Sequence, residues 1–404
     1  MIKMKALIIS DYDSRISWSC GFAARLKAKG FSNVFVSLNP NDNIDSLRIY
    51  RYLDEIYYVQ SYQDLSMILN DEFSLVILAV GGTMHLKIYD VFQSVYSLSD
   101  IRPILISGFN GIEDVSDPEG VFCRSVSDYI CVNNSDFYEY VSEISKDNNL
   151  SSKLFRTGFI RDYWDTISKK TNFITKVMFI LQPGILDHPK QLEHLGIWLS
   201  GYSKKYPKRK VVLKARGRKG VEHVNSKLEK DYFQNFWSDF CMNSGGKVDM
   251  VFGEMEDILP SVDLVLSYTS TSLIEALILG KKVAAISDFG ISKSIGNVYL
   301  SDSNLLSSTN NILNDEIPRV DLNWYQRWCC YNSNLVDNLI DASYKDFETQ
   351  YKNGKLNFVN GYYTEKKHPY LFRFRYFNIE LKSPSSLGTG NIMSKLKYYL
   401  KNAF

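Results

Sequence analysis

The segment Ser261–Ile286, SVDLVLSYTSTSLIEALILGKKVAAI, carries the densest set of residues able to hold a phosphate. A buried-strand pattern, Leu264–Ser267, leads into the hydroxyl-rich turn Tyr268-Thr269-Ser270-Thr271, and a helical pattern opens at Ser272 with Glu275 one turn in. Free backbone N–H groups and the positive end of the helix dipole make such a helix start an anion site. The hydroxyls of Ser270, Thr271 and Ser272 would complete a phosphate cradle, and Glu275 could reach back to ribose hydroxyls. The same residues would also serve as a capping box, a hydroxyl N-cap with Glu three or four positions on. The two roles are compatible.

A second cluster, VVLKARGRKGVE at Val211–Glu222, places Lys214, Arg216, Arg218 and Lys219 directly after a strand pattern. Cations there would neutralise a phosphate leaving group, Arg216 in bidentate fashion. Lys214 and Arg216 are the expected site residues, with Arg218 and Lys219 on a solvated loop. Gln182 and Gly253, also after strand patterns, are placed on the same donor side. Near the N-terminus, SDYDSRISW at Ser10–Trp18 puts Asp11, Asp13 and Ser14 in the first strand-to-helix turn. A carboxylate there could take a proton from an acceptor hydroxyl as a new bond forms, and Asp13 is the first choice for that base. Asp13 would equally serve as a helix N-cap. The glycine turns VGGTM (Gly81, Gly82, Thr83) and GFNG (Gly108, Gly111) end two further strand patterns, where glycine lets backbone approach a ligand. Tight turns would require the same residues.

Several chemistries have no support in the spacing. The histidines His85, His188, His194, His223 and His368 form no HxxxH or HxH pair, and the six cysteines form no CxxC, so no metal or other cofactor is expected. Reduced thiols are the expected state. No GxSxG, GxxxxGK[ST] or GxGxxG is present, against serine hydrolases, P-loop ATPases and NAD-dependent dehydrogenases.

These groups need elements to position them. In the first 150 residues, strand patterns at Ala6–Ser10, Val34–Leu38, Ile56–Val59, Leu75–Val80, Pro103–Ser107 and Tyr129–Val132 alternate with helical ones such as Trp18–Lys29 and Ser61–Asn70. A second series has strands at Lys176–Leu181, Lys210–Lys214, Val248–Phe252, Leu264–Ser267 and Lys282–Ile286. Its helices are Gln191–Lys204, Val224–Met242, a short turn near Met255–Leu259, and Ser272–Leu279. Short, nearly continuous apolar strands separated by helices predict parallel sheets covered on both faces, with ligands at the carboxyl ends of the strands. The expected organisation is an α/β chain with Rossmann-like doubly wound domains at 1–155 and 173–315, a linker at 156–172, and a returning helix within 316–351. The helical pattern Asn323–Tyr351 reads as one element.

The remaining segment, 352–404, is a basic, aromatic tail: from Glu365 to Phe404 eight Lys or Arg stand against two acids, with aromatics interleaved in HPYLFRFRYF. It would suit an anionic membrane surface, or remain a solvated extension. The net charge of +2 gives no reason to expect nucleic acid as a partner. Apolar residues at 45% and charged residues at 23% fit a globular protein. No run of about eighteen apolar residues and no secretory signal is seen, so a cytoplasmic or inner-face peripheral location is expected.

The strand, hydroxyl turn and STSLIEALILGKKV helix resemble the donor-binding segment of GT-B glycosyltransferases. Four stretches in order resemble one bacterial family of glycosyltransferases: DYDSRISW; ISGFNGIEDVSDPEGVFCRSVSDYICVNN; LQPGILDHPKQLEHLGIWL with VVLKARGRKGVEH; and MVFGEMEDILPSVDLVLSYTSTSLIEALILGKKVAAISDFGIS. The similarity covers roughly residues 5–305. It implies metal-independent, inverting transfer from a nucleotide sugar held in an interdomain cleft to a glycan or glycolipid acceptor. A more distant similarity to bacterial sialyltransferases and Kdo transferases rests on the hydroxyl pair Ser270-Thr271 and implies a CMP-activated acidic sugar and a bacterial surface glycan. Many of those enzymes carry a His-Pro pair after the basic strand. This chain has Lys214-Ala215-Arg216 there, and its own His188-Pro189 stands one strand too early. A UDP- or GDP-sugar transferase, a nucleotide-sugar epimerase and a non-catalytic glycan- or nucleotide-binding protein are the alternatives.

Overall fold

The computed structural model describes residues 4–11, 13–38, 49–113, 115, 117–162, 173–182, 189–215, 246–330, 333–354 and 356–365. The chain divides into two compact units, one of residues 1–133, 137–162 and 332–404, the other of residues 134–136 and 163–331. Each is an α/β body built on a parallel sheet.

In the first unit the strands are β1 (Lys5–Ser10), β2 (Ser32–Ser37), β3 (Glu55–Tyr58), β4 (Leu75–Ala79), β5 (Ile104–Gly108), β6 (Tyr129–Val132) and β7 (Lys153–Arg156). Their order is β3-β2-β1-β4-β5-β6-β7, every pair parallel. Alternation along the strands feeds two cores. Ala6 and Ile8 pack with Trp18, Phe22 and Leu26 of the Asp13–Ala28 helix, whereas Leu7 and Ile9 pack with Leu65, Leu69, Leu86 and Phe92 on the other face. Burial on both faces is why these strands read as unbroken apolar runs. The Tyr62–Leu69 helix starts on a complete capping box, Ser61 accepting from the Asp64 N–H while the Asp64 carboxylate accepts from the Ser61 N–H.

The second unit has β8 (Lys176–Ile180), β9 (Lys210–Lys214), β10 (Val248–Val251), β11 (Leu264–Ser267), β12 (Lys282–Ile286) and β13 (Leu306–Ser307), in the parallel order β10-β9-β8-β11-β12-β13. Val177, Phe179, Leu264 and Leu266 face a core shared with Leu195, Leu199 and Tyr202 of the Pro189–Lys205 helix. Two doubly wound parallel sheets are the GT-B architecture expected from sequence. The strand direction of connection reverses between β1 and β4 in one sheet and between β8 and β11 in the other.

Two expectations change. The half-exposed β7 and the two-residue β13 are additional strands. The helix expected over Asn323–Tyr351 is two helices, Leu322–Trp328 and Ser333–Asn353. The first is anchored in the second unit, where Trp324 donates to the Tyr299 carbonyl at 2.9 Å and stacks on Trp328. The second packs in the first unit, so the axis must break between two cores. The helix expected over Val224–Met242 lies outside the described residues. Among the described residues no helix is long and apolar enough to cross a membrane.

The Ser333–Asn353 helix and the segment after it are clipped to the first unit. Arg25 pairs with Asp337, Lys29 with Asp341 at 2.6 Å, and Tyr129 donates to Asp346 at 2.8 Å. The Gln350 amide pairs with both main-chain groups of Arg102. Beyond the helix, Phe358 meets Tyr89 and Phe92 edge-on and Tyr362 stacks on Phe122, so this stretch packs against the first unit. The HPYLFRFRYF stretch lies outside the described residues.

At the centre of the clip Arg102, 2% exposed, forms a bidentate pair with Asp128 at 2.7 and 2.8 Å and donates to the Leu356 and Asn357 carbonyls. Arg102→Met would leave the Asp128 carboxylate buried with only the Leu105 N–H. We expect a loss of about 3–5 kcal/mol, read as a lower urea midpoint for the first unit. A loss below about 1 kcal/mol would mean that the pair does not hold the returning segment.

Candidate functional site

In the second unit β11 ends on Ser267, whose single hydroxyl proton lies between the Ile180 carbonyl of the neighbouring β8 at 3.0 Å and the Thr269 carbonyl at 3.1 Å. The chain then turns: Thr269 donates to the Gly296 carbonyl at 2.8 Å, and the Ser270 carbonyl accepts from the Tyr299 hydroxyl at 3.3 Å. Ser270 is the N-cap of the Thr271–Ile278 helix, its backbone extended and its Oγ accepting from the Ser272 N–H at 3.2 Å. The hydroxyl turn is thus fixed from both sides at the start of a helix. With Ser270 as cap, Glu275 falls five residues on, too far along for a capping box, and it is 3% exposed within the helix. The cap is the Ser270 hydroxyl.

Lys214 ends β9, paired in register with Ile180 of β8. It therefore lies at the same sheet edge as Ser267, with one strand between them. Neighbouring strands are about 4.8 Å apart, which puts the two positions about 10 Å from each other. Its side chain is 6% exposed and Nζ donates to the Ala215 carbonyl at 2.7 Å. Gln182, two residues beyond β8, is half-buried at the same edge. Gly253 has φ +111° in the turn after β10, a conformation glycine adopts without strain. Arg216, Arg218 and Lys219 lie outside the described residues.

In the first unit Asp11 directly follows β1 and Gly81 follows its neighbour β4, at the reversal of strand order. One Asp11 oxygen accepts from the Gly81 N–H at 2.9 Å, the other from Arg15 Nη1 at 2.6 Å. Asp13 is the first residue of the Asp13–Ala28 helix, not a loop residue; its side chain and that of Ser14 lie outside the described residues. Gly81 is the N-cap of the Gly82–Tyr96 helix, and a Cβ there would come within 3.2 Å of the Arg15 guanidinium. Thr83, in the first turn, is exposed. Gly108 serves packing: a Cβ would strike Trp18 at 2.7 Å and Cys131 at 2.8 Å. The Gly111 carbonyl accepts from Asn133 at 2.6 Å.

Three residues join this edge that sequence reasoning did not select: Arg15, His85 and Arg124. Arg124, 5% exposed, donates to the Gly108 carbonyl at 2.7 Å and the Gly120 carbonyl at 2.9 Å, with its guanidinium 4.0 Å from the Phe109 ring centre. His85 is fully buried, its Nδ1 3.0 Å from the Gly81 carbonyl and its Nε2 without a hydrogen-bond partner among the described residues. The carbonyl fixes the proton on Nδ1, leaving Nε2 a bare acceptor. The signal for Arg15 was present within SDYDSRISW. For Arg124 and His85 only the fold supplies one. Among the described residues no group of three His, Cys, Asp or Glu side chains could hold a metal ion.

Burial, and then the charges of Arg124 and Arg15, push the His85 pKa well below its ordinary 6.5. The unfolded chain therefore binds a proton below about pH 6.5 that the folded chain refuses. His85 contributes stability that is present above that pH and lost as the pH falls toward the lowered folded value. We expect the urea midpoint of the wild type to fall between pH 7 and pH 5 more steeply than that of His85→Leu. Parallel slopes would show that the ring titrates freely.

The comparisons agree with this architecture. The fold is similar to the UDP-GlcNAc 2-epimerase of Methanocaldococcus jannaschii (TM-score 0.56, 14% identity, 84% of this chain and 99% of that one). It is also similar to the Neisseria meningitidis UDP-GlcNAc 2-epimerase bound to UDP-GlcNAc (TM-score 0.52, 15% identity, 85% and 100%). A third similar structure is Arabidopsis thaliana UGT89C1 complexed with quercetin (TM-score 0.51, 12% identity, 87% and 97%). No curated protein matches the sequence. Residues 6–333 match the model of the family described as "Putative glycosyltransferase (DUF6716)". That match spans most of the chain, and with the two parallel sheets it makes the protein a member of this family and a glycosyltransferase of GT-B fold.

Proposed function

We propose that the protein transfers a sugar from a nucleotide-sugar donor to a glycan or glycolipid acceptor, without a metal ion and with inversion at the anomeric carbon. The observation that carries this reading is the Ser270 cap, a fixed hydroxyl turn opening the Thr271–Ile278 helix at the reversal of strand order in the second sheet. A phosphate seated there accepts from first-turn N–H groups and from the Ser270, Thr271 and Ser272 hydroxyls, Ser270 donating its own proton while its Oγ accepts from the Ser272 N–H, and the helix dipole favours its charge.

In the transfer, the acceptor oxygen attacks the anomeric carbon, the bond from that carbon to the phosphate oxygen breaks, and its electron pair leaves with the nucleotide. Lys214 and Arg216 offset the charge that develops on the leaving phosphate, whereas Glu275, buried within its helix, is not presented to the ribose. Asp13, at the start of the first helix, takes the acceptor proton. Both oxygens of Asp11 are already engaged by Gly81 and Arg15, so Asp11 orients this turn rather than acting as the base.

A UDP-sugar is the first donor of this reading, because the epimerases of similar fold act on UDP-GlcNAc. The Ser270-Thr271 pair favours a second reading, a CMP-activated acidic sugar passed to a bacterial surface glycan. The basic segment from Glu365 to Phe404 would hold the enzyme weakly to an anionic membrane at its inner face. Co-sedimentation with anionic vesicles should fall with added salt and on deletion of residues 366–404.

Calorimetry with UDP, GDP and CMP, followed by turnover assays with the corresponding sugar donors, tests the function. Ser270→Ala should weaken binding of the preferred nucleotide about ten-fold, the loss of one hydrogen bond to a charged group, and should lower stability by about 1 kcal/mol as the cap is lost. Acceptor-dependent turnover with CMP-sugars alone would select the second reading. Release of an altered sugar without an acceptor would replace transfer by epimerisation, and unchanged nucleotide binding in Ser270→Ala would remove the phosphate from this corner.

A further inference from the structure

The Arg124 guanidinium is held on three sides by the Gly108 carbonyl, the Gly120 carbonyl and the Phe109 ring, yet no carboxylate among the described residues lies within ion-pair distance of it. Its Nη2 makes no hydrogen bond among the described residues and is not sealed from solvent. A desolvated cation without a counter-ion is costly, and one rigidly oriented toward an opening is how anion sites are built. The surroundings add positive character. Arg15 stands close enough for the two guanidiniums to repel, and Asp11, its partner, has both oxygens occupied. The Gly82–Tyr96 helix starts here on Gly81, which brings no side chain to cap it. Glycines at 81 and 120 leave room: a Cβ at either would come within 3.2 Å of Arg15 and 3.4 Å of Arg124 respectively. The carboxylate that acts on Arg124 most strongly, Glu113, makes no ion pair with it but borders the same space, its Oε2 3.7 Å from where a Gly120 Cβ would stand, and Glu119 is bound to Tyr363 and Cys123.

We propose that Arg124, with Arg15 and the Gly81–Gly82 helix start, binds an oxyanion, a carboxylate or phosphate group, carried by the acceptor. The assignment to the acceptor rests on the transferase reading, with the nucleotide at Ser270 in the other unit. The oxyanion site itself stands on the first unit alone. Arg124 is then a specificity determinant: neutral acceptors leave its buried charge unmatched and are rejected.

The test is calorimetric titration of the full-length protein with inorganic phosphate and with glucuronate. At least one probe should bind the wild type at a site whose affinity falls ten-fold or more in Arg15→Gln and in Arg124→Lys but is unchanged in Ser270→Ala and by saturating UDP, which separates it from any phosphate bound at the Ser270 corner. Preference for glucuronate marks an acidic sugar and preference for phosphate marks a phosphorylated acceptor. If Arg124→Lys does not fold, Arg15→Gln and the ¹⁵N shift of His85 Nε2, which should move on probe binding in the wild type, carry the test. Failure of both probes to bind, loss of all binding in Ser270→Ala alone, or displacement of all bound probe by UDP would overturn the proposal. Probe binding without nucleotide-dependent transfer would remove the transferase reading and the acceptor assignment with it.

Discussion

When every strand of a sheet runs the same way, each strand's carboxyl end and the following helix's start come to one edge. The chemistry of this protein depends on that constraint. Where the order of strands reverses, neighbouring connections depart to opposite faces and leave a crevice between them. In the second sheet the reversal lies between β8 and β11, and the Ser267–Ser272 turn stands at that point. In the first sheet it lies between β1 and β4, and Asp11 meets the Gly81 N–H across it. Neither place needs a residue of unusual reactivity. Each is built of ordinary groups: a helix start with fixed hydroxyls at the second edge, a helix start with buried guanidiniums at the first.

The two edges are stabilised differently. At the second, neutral hydroxyls satisfy main-chain groups: Ser267, Thr269 and Ser270 each make a bond that locks the turn. At the first, charges are held close together in a poorly solvated setting. Asp11 balances Arg15, while Arg124 relies on carbonyl oxygens and a ring face. The same burial that sets Arg124 in place keeps His85 neutral, since a third positive charge there would find no solvent to screen it.

The sequence was most legible where strands are buried along nearly their whole length. Tyr129–Val132, Lys210–Lys214, Leu264–Ser267 and Lys282–Ile286 are strands at the residues read from their apolar runs, because a strand covered on both faces has no polar interruption. Edge strand β7, with its outer residues exposed, and β13, two residues long, leave no such run. The Ser270 turn was legible because its hydroxyls, strand and helix are contiguous. Arg124 was not: in FCRSV it reads as an ordinary helical arginine, and only long-range packing brings the Gly108 carbonyl and Phe109 to it. The break after Trp328 was hidden for a similar reason. The helical periodicity continues across it, and the interruption arises because the flanking helices belong to different cores.

The return of residues 333–365 to the first unit orders events during synthesis. The second unit is essentially one continuous stretch, 163–331, and can close its core as soon as that stretch leaves the ribosome. The first unit, although it emerges earlier, must wait for Gln350 to pair with the Arg102 main chain and for Leu356 and Asn357 to accept from its guanidinium. Translation therefore delivers the halves out of numerical order: the part made first is finished last. Until then its apolar surface at Phe31, Tyr89 and Phe92 stays uncovered, a period in which a nascent-chain chaperone would find its binding face.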